Sequence, residues 1–466
     1  MDASGNHIIV WDSHHQDSSW GGIYGQRYNA DGTITGEEFR VNQYTTATQR
    51  DPSVAMDKDG NFVVVWESSG QDGSGFGVFA RRYQTDGSAL DTADIQINVD
   101  TIHNQLNPSV AMNADGDFVV VWESYENILN SKGIYARHYR ADGSAIDSGD
   151  IKVNVYTASY QRNPAVSMDS DGDFVVVWQN RGQYDGDHYY HIFARRYQAS
   201  GLAVDTSDVQ INTQTTPFHY TPVVAMDTSG NYVVAWQSFT PGDNYTSIFT
   251  RRYQANGVAL DISDVQVNAT PTVNLRHPAV AMNDEGDYIV TWESYKIGSA
   301  ASDVFMRVYD ASGVAVDLEK RVNTFISFFQ RHSSVATSAD GRFVIAWTSG
   351  YNGTINQDGS SWGIYAQRYD YISVPVDVLP IPSMGALRAY PNPVSGLLTV
   401  ENAGVELQLY SLTGRLITDV SFRVLTRATN GDNRTTLDMS GLPEGMYLLT
   451  TTLENGEVRQ VRVIVR

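Results

Sequence analysis

Short runs of alternating apolar residues recur along the first four-fifths of the chain, and each run ends in a tryptophan. In the second run, Phe62, Val64 and Trp66 alternate with Val63 and Val65. Alternation with a period of two predicts β-strands, and apolar residues on both faces predict that each strand is covered on both sides. The tryptophans of the seven runs are Trp11, Trp66, Trp122, Trp178, Trp236, Trp292 and Trp347. Their spacing of 55 to 58 residues indicates one supersecondary unit copied seven times.

Each copy is predicted to contain four strands, and the second copy shows the pattern. Its strands are expected at 53–56, 62–66, 78–83 and 95–99, with Asp-Gly turns and longer connections alternating between them. Four-stranded sheets that pack face to face around an axis form propeller blades. The predicted fold class is therefore all-β, a seven-bladed β-propeller followed by a small Ig-like β-sandwich. A flat solenoid of stacked sheets is the alternative.

The repeat also sets the domain limits. The propeller is predicted over 1–372, a linker containing several prolines over 373–386, and a second module over 387–466. Met1 aligns with Met56, so the chain starts inside the first strand of the first copy. We therefore expect only three full strands in the first blade, with a piece upstream of Met1 absent from this sequence.

Aromatic residues that do not repeat from copy to copy lie in the long connections. In a meander all long connections leave the sheet at one end, and variable loops on a rigid scaffold commonly carry function. Exposed rings with polar neighbours are suited to a glycan or a protein ligand. Packing of one loop on another is the alternative interpretation. The candidate ligand-binding residues are Trp20, Tyr125, Tyr189, Tyr190, Phe239, Tyr245, Tyr295, Tyr351 and Trp362.

Two polar motifs repeat and have structural interpretations. The Arg-Arg-Tyr motif, as at Arg81 and Arg82, is expected to pair with a carboxylate such as Glu67, Glu123 or Glu293, because a partly buried charge must be paired. A ring of cations for anionic sugars is the alternative. The Asp-x-Asp-Gly motif permits calcium binding, but tight turns demand the same residues, and turn chemistry is favoured.

Composition limits the classes of partner that the protein can bind. The formal net charge is −21 and the pI is about 4.7, which argues against nucleic acid, because proteins that bind it cluster Lys and Arg against phosphates. Cysteine is absent, so disulfides and thiolate metal sites are excluded. No apolar run is long enough to span a bilayer. We expect a monomer without a transmembrane segment.

Catalysis needs unequal groups that converge on one point, whereas a repeat supplies equal ones. The loop acids Glu126, Asp185, Asp187 and Asp243 are weak candidates for glycoside cleavage. No catalytic residue, metal ligand or cofactor other than calcium is indicated. The sequence favours a non-enzymatic binding propeller over an enzyme that acts on extracellular polysaccharide with carboxylates near the axis.

The last 80 residues contain short alternating strands with turns at Gly and Asn, and several ordered motifs. They begin with Tyr390-Pro391-Asn392-Pro393, continue through a predicted hairpin containing Gly414, and reach Gly445 and Tyr447 before a final strand. Residues 387–466 thereby resemble the C-terminal sorting domain of the type IX secretion system. The resemblance implies recognition by that machinery and export, with the protein secreted or held at the outer-membrane surface.

Overall fold

The computed structural model describes most of the chain as strands and turns. Its described residues are 1–16, 20–126, 131–182, 189–215, 218–239, 242, 245–269, 274–295, 301–350, 362–370, 388–390, 397–401, 406–411, 423–426, 434–440, 442, 445–452 and 458–465. No helix that is long and apolar enough to cross a membrane occurs within these ranges. The chain divides into two compact units, Met1–Val314 with Glu319–Ile372 and Ala315–Leu318 with Ser373–Arg466.

The first unit consists of repeated antiparallel meanders. The first blade has three strands and the second has four. In each later blade the chain enters at the inner strand and proceeds outward. The strands of the first two blades are β1 (His7–Ser13), β2 (Gly22–Tyr28), β3 (Ile34–Arg40), β4 (Gln49–Met56), β5 (Phe62–Ser69), β6 (Phe76–Tyr83) and β7 (Ile95–Gln96).

Blades three to seven repeat this order, and the strands of blade seven are described as far as the third. Blades three and four contain β8 (Gln105–Met112), β9 (Phe118–Tyr125), β10 (Lys132–Tyr139), β11 (Ile151–Lys152), β12 (Gln161–Met168), β13 (Phe174–Arg181), β14 (Tyr190–Tyr197) and β15 (Val209–Gln210). Blades five to seven contain β16 (Phe218–Met226), β17 (Tyr232–Phe239), β18 (Thr246–Tyr253), β19 (Val265–Gln266), β20 (Asn274–Met282), β21 (Tyr288–Tyr295), β22 (Ser302–Tyr309), β23 (Lys320–Arg321), β24 (Phe329–Thr337), β25 (Arg342–Gly350) and β26 (Trp362–Asp370). The seven-bladed propeller is thus the fold of this unit, as predicted.

The core lies between neighbouring blades, because the central strand of each blade is apolar on both faces. Val63 and Val65 of blade two pack with Phe118 and Trp122 of blade three. On the opposite face of the same strand, Trp66 packs against the first blade. Each sheet is therefore covered by the two sheets beside it, which is why the strands lack the polar face of an ordinary exposed sheet.

The first blade differs from the others in its burial. Its three strands correspond to the second, third and fourth strands of the later blades, as expected from the alignment of Met1 with Met56. Trp11 is consequently half-buried, whereas Trp66 and Trp178 are fully buried and Trp347 is 7% exposed. Strands that are apolar on both faces predict buried tryptophans in all seven copies, and this prediction is wrong for Trp11. Among the described residues, no inner strand of its own sheet flanks Trp11. Residues 372–378, the alternative source of a strand at that place, lie outside the described residues.

The second arginine of the repeated motif links neighbouring blades. The Arg82 guanidinium pairs with Asp91 at 2.5 Å and donates to the Ala141 carbonyl oxygen of the next blade at 2.7 Å. Arg196 and Arg252 pair in the same way with Asp205 and Asp261. Pairing with a carboxylate is confirmed, but the expected partners Glu67, Glu123 and Glu293 are wrong. Each true partner lies nine residues after its arginine, in the connection to the outer strand.

The same contact joins the ends of the ring. Arg368 of the seventh blade donates from Nη1 to the Ala30 carbonyl oxygen of the first blade at 2.6 Å. This hydrogen bond repeats the one between Arg82 and Ala141. A second arginine of blade seven, Arg342, donates to the Ser4 carbonyl oxygen at 3.1 Å. At the seam between blades seven and one, the Arg368 contact therefore repeats one that joins other blades, and the Arg342 contact is added to it.

The repeated aspartates act as turn acceptors. Oδ1 of Asp57 accepts from the backbone N–H groups of Asp59 and Asn61 at 2.9 and 2.8 Å, and Oδ2 accepts from the Asn61 amide at 2.8 Å. Asp227 makes the same three bonds in blade five. These bonds give the aspartates a structural role that requires no calcium ion.

The second unit contains two antiparallel sheets that share one apolar core. Leu398, Leu437, Leu449 and Val463 are fully buried in this core. One sheet has the order β27-β28-β31-β30 and the other β29-β32-β33. Their strands are β27 (Arg388–Tyr390), β28 (Leu397–Glu401), β29 (Glu406–Ser411), β30 (Arg423–Thr426), β31 (Arg434–Asp438), β32 (Gly445–Thr452) and β33 (Val458–Val465). The predicted small β-sandwich is confirmed.

Candidate functional site

The strand register sorts the connections onto two sides of the propeller. The connections 70–75 and 97–104 leave blade two at one end, which we call the loop face. The turns 57–61 and 84–88 lie at the opposite end, the turn face. Equivalent connections in the other blades follow the same alternation.

The register also assigns the candidate aromatic residues to a side. The described members lie at strand ends or connections of the loop face: Trp20, Tyr125, Tyr189, Tyr190, Phe239, Tyr245, Tyr295 and Trp362. Trp20 is 69% exposed, and the others are half-buried. Tyr351 lies outside the described residues.

Several of these rings pack on one another between blades four and five. Tyr189 contacts Phe218 with ring centroids 4.8 Å apart, and Tyr190 contacts Tyr220 at 5.4 Å. Phe218 in turn lies 6.4 Å from Phe239. For this group, the loop-packing interpretation accounts for the positions of the rings.

A different arrangement occurs at blades six and seven, where aromatic rings surround a cation. The Arg331 guanidinium carbon lies 3.7 Å from the ring centroid of Phe329, 5.7 Å from that of Tyr295 and 5.8 Å from that of Trp362. Nε of Arg331 is buried and has no hydrogen-bond partner among the described residues. Two candidate aromatics, Tyr295 and Trp362, are thus brought together by an arginine that no sequence motif indicated.

The inner strands form a ring of bulges around the axis. In each of blades two to seven, one residue of the inner strand has a positive φ between 47° and 53°. In blades three, five and seven, the backbone N–H of this bulge residue donates to the side chain that follows the repeated tryptophan of the preceding blade. Glu67 accepts from Asn107 at 2.5 Å, and Gln179 accepts from Thr221 at 2.8 Å. The bulge residues are Asp51, Asn107, Asn163, Thr221, His277 and His332.

At blades six and seven this ring brings two imidazoles beside a buried carboxylate. Glu293 is 0% exposed, and its Oε1 lies 3.1 Å from Nδ1 of His277. The same oxygen accepts from the His332 backbone N–H at 2.6 Å, while Oε2 accepts from the Tyr295 hydroxyl at 2.8 Å. One ligand atom from each of Glu293, His277 and His332 lies within 4.8 Å of the others.

The surroundings keep this carboxylate ionised. Burial opposes ionisation of Glu293, but the hydrogen bond and charge of His277, with the His332 backbone N–H, lower its pKa below the ordinary value. We call His277, Glu293 and His332 the axial cluster. It breaks the symmetry of the repeat, since the equivalent bulge residues of blades two to five are Asp51, Asn107, Asn163 and Thr221.

Sequence reasoning missed the axial cluster, although a signal exists. When the copies are aligned on the inner strand, the bulge position holds Asp, Asn, Asn, Thr, His and His in blades two to seven. Only the bulge conformation shows that this column lies beside the side chains that follow the repeated tryptophans. Of the weak catalytic candidates, Glu126 contacts Tyr135 at 3.0 Å and an adjacent lysine, Lys152. Asp185, Asp187 and Asp243 lie outside the described residues.

Comparison with solved structures gives distant similarities. A protein of unknown function from Dyadobacter fermentans is 11% identical, with a TM-score of 0.47 over 68% of this chain and 93% of its own. The GH93 α-L-arabinofuranosidase of Fusarium graminearum is 12% identical, with a TM-score of 0.46 over 69% and 92%. The propeller domain of the trilobed protease of Pyrococcus furiosus is 6% identical, with a TM-score of 0.46 over 80% and 95%. Similarity at this level carries nothing about activity. No curated protein matches the chain.

The second unit has a match to a family. Residues 388–466 match the family model of the secretion system C-terminal sorting domain. Within it, Gly445 opens β32 and Tyr447 is buried in the core of the sandwich. Tyr390 ends β27, whereas Pro391, Asn392, Pro393 and Gly414 lie outside the described residues. The chain is therefore a seven-bladed propeller protein that carries a type IX secretion C-terminal sorting domain and is exported to the cell surface or the extracellular space.

Proposed function

We propose that the exported propeller binds an extracellular glycan on its loop face, at blades six and seven. The observation that carries the proposal is the arrangement of Phe329, Tyr295 and Trp362 around the Arg331 guanidinium. These four residues come from two blades, so their spacing is fixed by the rigid inter-blade core. We call them the cation-aromatic group.

The chemistry of this group suits a sugar. Aromatic faces pack against the C–H groups of a pyranose or furanose ring, and a guanidinium donates several hydrogen bonds to hydroxyl oxygens. An arginine held between rings loses little side-chain entropy on binding, which favours affinity. The net charge of −21 repels polyanions at long range, so we expect a neutral glycan rather than an anionic one.

Removing two rings of the loop face tests the proposal. We expect the Trp20→Ala, Trp362→Ala double variant of the full chain to bind its polysaccharide at least about tenfold more weakly, as anchor residues do. The measurement is retardation of the full chain in native gels that contain one neutral polysaccharide each. Trp20 is 69% exposed and Trp362 is half-buried, so the melting temperature should fall much less than on removal of a fully buried tryptophan.

A matched control lies on the turn face. Leu202 is 65% exposed there, and Leu202→Ala should leave retardation unchanged. Equal retardation of the wild type and the double variant, with a polysaccharide that the wild type does bind, would show that the loop-face rings only pack on each other.

An enzyme that acts on extracellular polysaccharide is the second candidate. The observation that favours it is the axial cluster, where unequal groups meet as catalysis requires. Release of reducing ends from a retained polysaccharide would identify the enzyme. Retention of the polysaccharide without release of reducing ends would favour the binding propeller.

A further inference from the structure

The axial cluster has a ligand set that binds metal ions. Zinc sites that remain open to a further ligand commonly use two histidine nitrogens and one carboxylate oxygen. In the axial cluster these atoms come from His277, His332 and Glu293, and all lie within 4.8 Å of one another. Among the described residues this is the one group of three His, Cys, Asp or Glu side chains with such proximity.

We propose that His277, Glu293 and His332 bind a divalent transition-metal ion, with zinc preferred. The two imidazoles are exposed and Glu293 is buried, so the ion would be held by three protein ligands and would keep a position open to solvent. This proposal does not depend on glycan binding, because it concerns the ion alone.

The carboxylate retains the lone pairs that coordination needs. An ionised carboxylate has about four acceptor positions, and fixed donors occupy two of them, the His332 backbone N–H at 2.6 Å and the Tyr295 hydroxyl at 2.8 Å. These donors orient Glu293 as outer-sphere partners orient metal ligands. The remaining contact joins Glu293 to Nδ1 of His277 at 3.1 Å. An entering ion would replace this contact with one metal bond to each of the two residues.

The backbone also presets the histidines. His277 and His332 have φ values of 48° and 51°, and their rings lie 5.2 Å apart between centroids. The bulges that impose this conformation occur in each of blades two to seven, so the histidines are placed by the fold and need little reorganisation. The equivalent residues Asn107 and Asn163 share the conformation and lack the imidazole.

That equivalence supplies matched variants. His277→Asn and His332→Asn place in blades six and seven the residue that blades three and four carry at the same bulge. Glu293→Gln introduces the amide that Gln179 presents to the Thr221 backbone N–H at 2.8 Å, so the bond to His332 is kept and the anionic ligand is lost. All three variants should fold, which circular dichroism and melting of the metal-free proteins would check.

Titration of the metal-free full chain with zinc chloride is the test. We expect one zinc ion per chain in the wild type, and affinity at least about a hundredfold lower in each of the three variants, since each loses a direct ligand. His103→Asn removes an exposed histidine elsewhere on the loop face and should bind zinc as the wild type does.

Cobalt gives a second readout. Co²⁺ at a four-coordinate site should give visible absorption in the wild type and in His103→Asn, and none in His332→Asn. Absence of stoichiometric zinc uptake by the wild type would overturn the proposal, and so would zinc affinity in His332→Asn and His277→Asn equal to that of the wild type.

Discussion

Trp178→Ala is expected to lower the free energy of unfolding of the propeller by about 3 to 5 kcal/mol, the cost of emptying a tightly packed core position. Trp178 is 0% exposed and packs with Val121, Ile134 and Val153 of the preceding blade. The hydrogen bonds within each sheet keep its backbone rigid, so the neighbouring sheets can close only partly into the vacated space. Most of the cavity cost should therefore be retained.

Fluorescence-detected urea unfolding measures this loss for the propeller alone, because all nine tryptophans lie between Trp11 and Trp362. Two comparisons make the prediction specific. Trp11→Ala should cost clearly less, because Trp11 is half-buried. Trp178→Phe should cost on the order of 1 kcal/mol, since the indole Nε1 has no hydrogen-bond partner among the described residues. Equal losses for Trp11→Ala and Trp178→Ala would contradict the assignment of the inter-blade core.

The fold was predictable because its information is local and repeated. Alternating residues such as those from Phe62 to Trp66 determine strand and burial together, and seven copies determine the number of blades. The exception at Trp11 arises because burial there depends on a neighbouring strand and not on the residue itself. A strand pattern alone carries no information about whether that neighbour is present.

The candidate site was only partly predictable, because it depends on contacts between copies. Tyr295 and Trp362 were identified as loop-face aromatics, but Arg331, which joins them, was indistinguishable in sequence from other inner-strand arginines. The axial cluster required the bulge conformation of His277 and His332, which a period of two does not reveal. The arginine pairs were misassigned for a similar reason, since Asp91 comes within reach of Arg82 only through the path of its connection.

A buried histidine in blade five should make the propeller sensitive to acid. His219 is 1% exposed, and its Nδ1 accepts from the Trp236 indole at 3.0 Å while Nε2 lies 2.9 Å from the Gln214 carbonyl oxygen. Both ring nitrogens are therefore satisfied in the neutral form. Burial lowers the pKa of His219 to about 4, against the opposing effect of the Gln214 carbonyl.

The direction of the change in stability with pH follows from proton uptake by the unfolded chain. Above pH 6.5 the histidine is neutral in both states and stability is fully present. As the pH falls from 6.5 to about 4, His219 binds a proton in the unfolded chain but not in the folded protein, so stability is lost progressively. Below about pH 4 both states bind the proton, and the loss stops. The two pKa values, 6.5 and about 4, correspond to about 3 kcal/mol. His191, 6.0 Å away between ring centroids, and Asp264 also act on this ring.

His219→Gln isolates this contribution, because glutamine is the natural residue at the same place in other blades. Gln330 of blade seven accepts from the Trp347 indole at 3.0 Å, so a glutamine at 219 can keep the acceptor for Trp236 without a titrating group. Between pH 7 and pH 4, we expect the free energy of unfolding of the variant to rise by about 3 kcal/mol relative to that of the wild type. Urea unfolding at both pH values measures this difference. Carboxylates that titrate over the same range affect both proteins and cancel in the difference. His103→Gln, which changes an exposed histidine, should follow the wild type, and a His219→Gln curve parallel to the wild type would mean that His219 gains its proton in the folded protein as easily as in the unfolded chain.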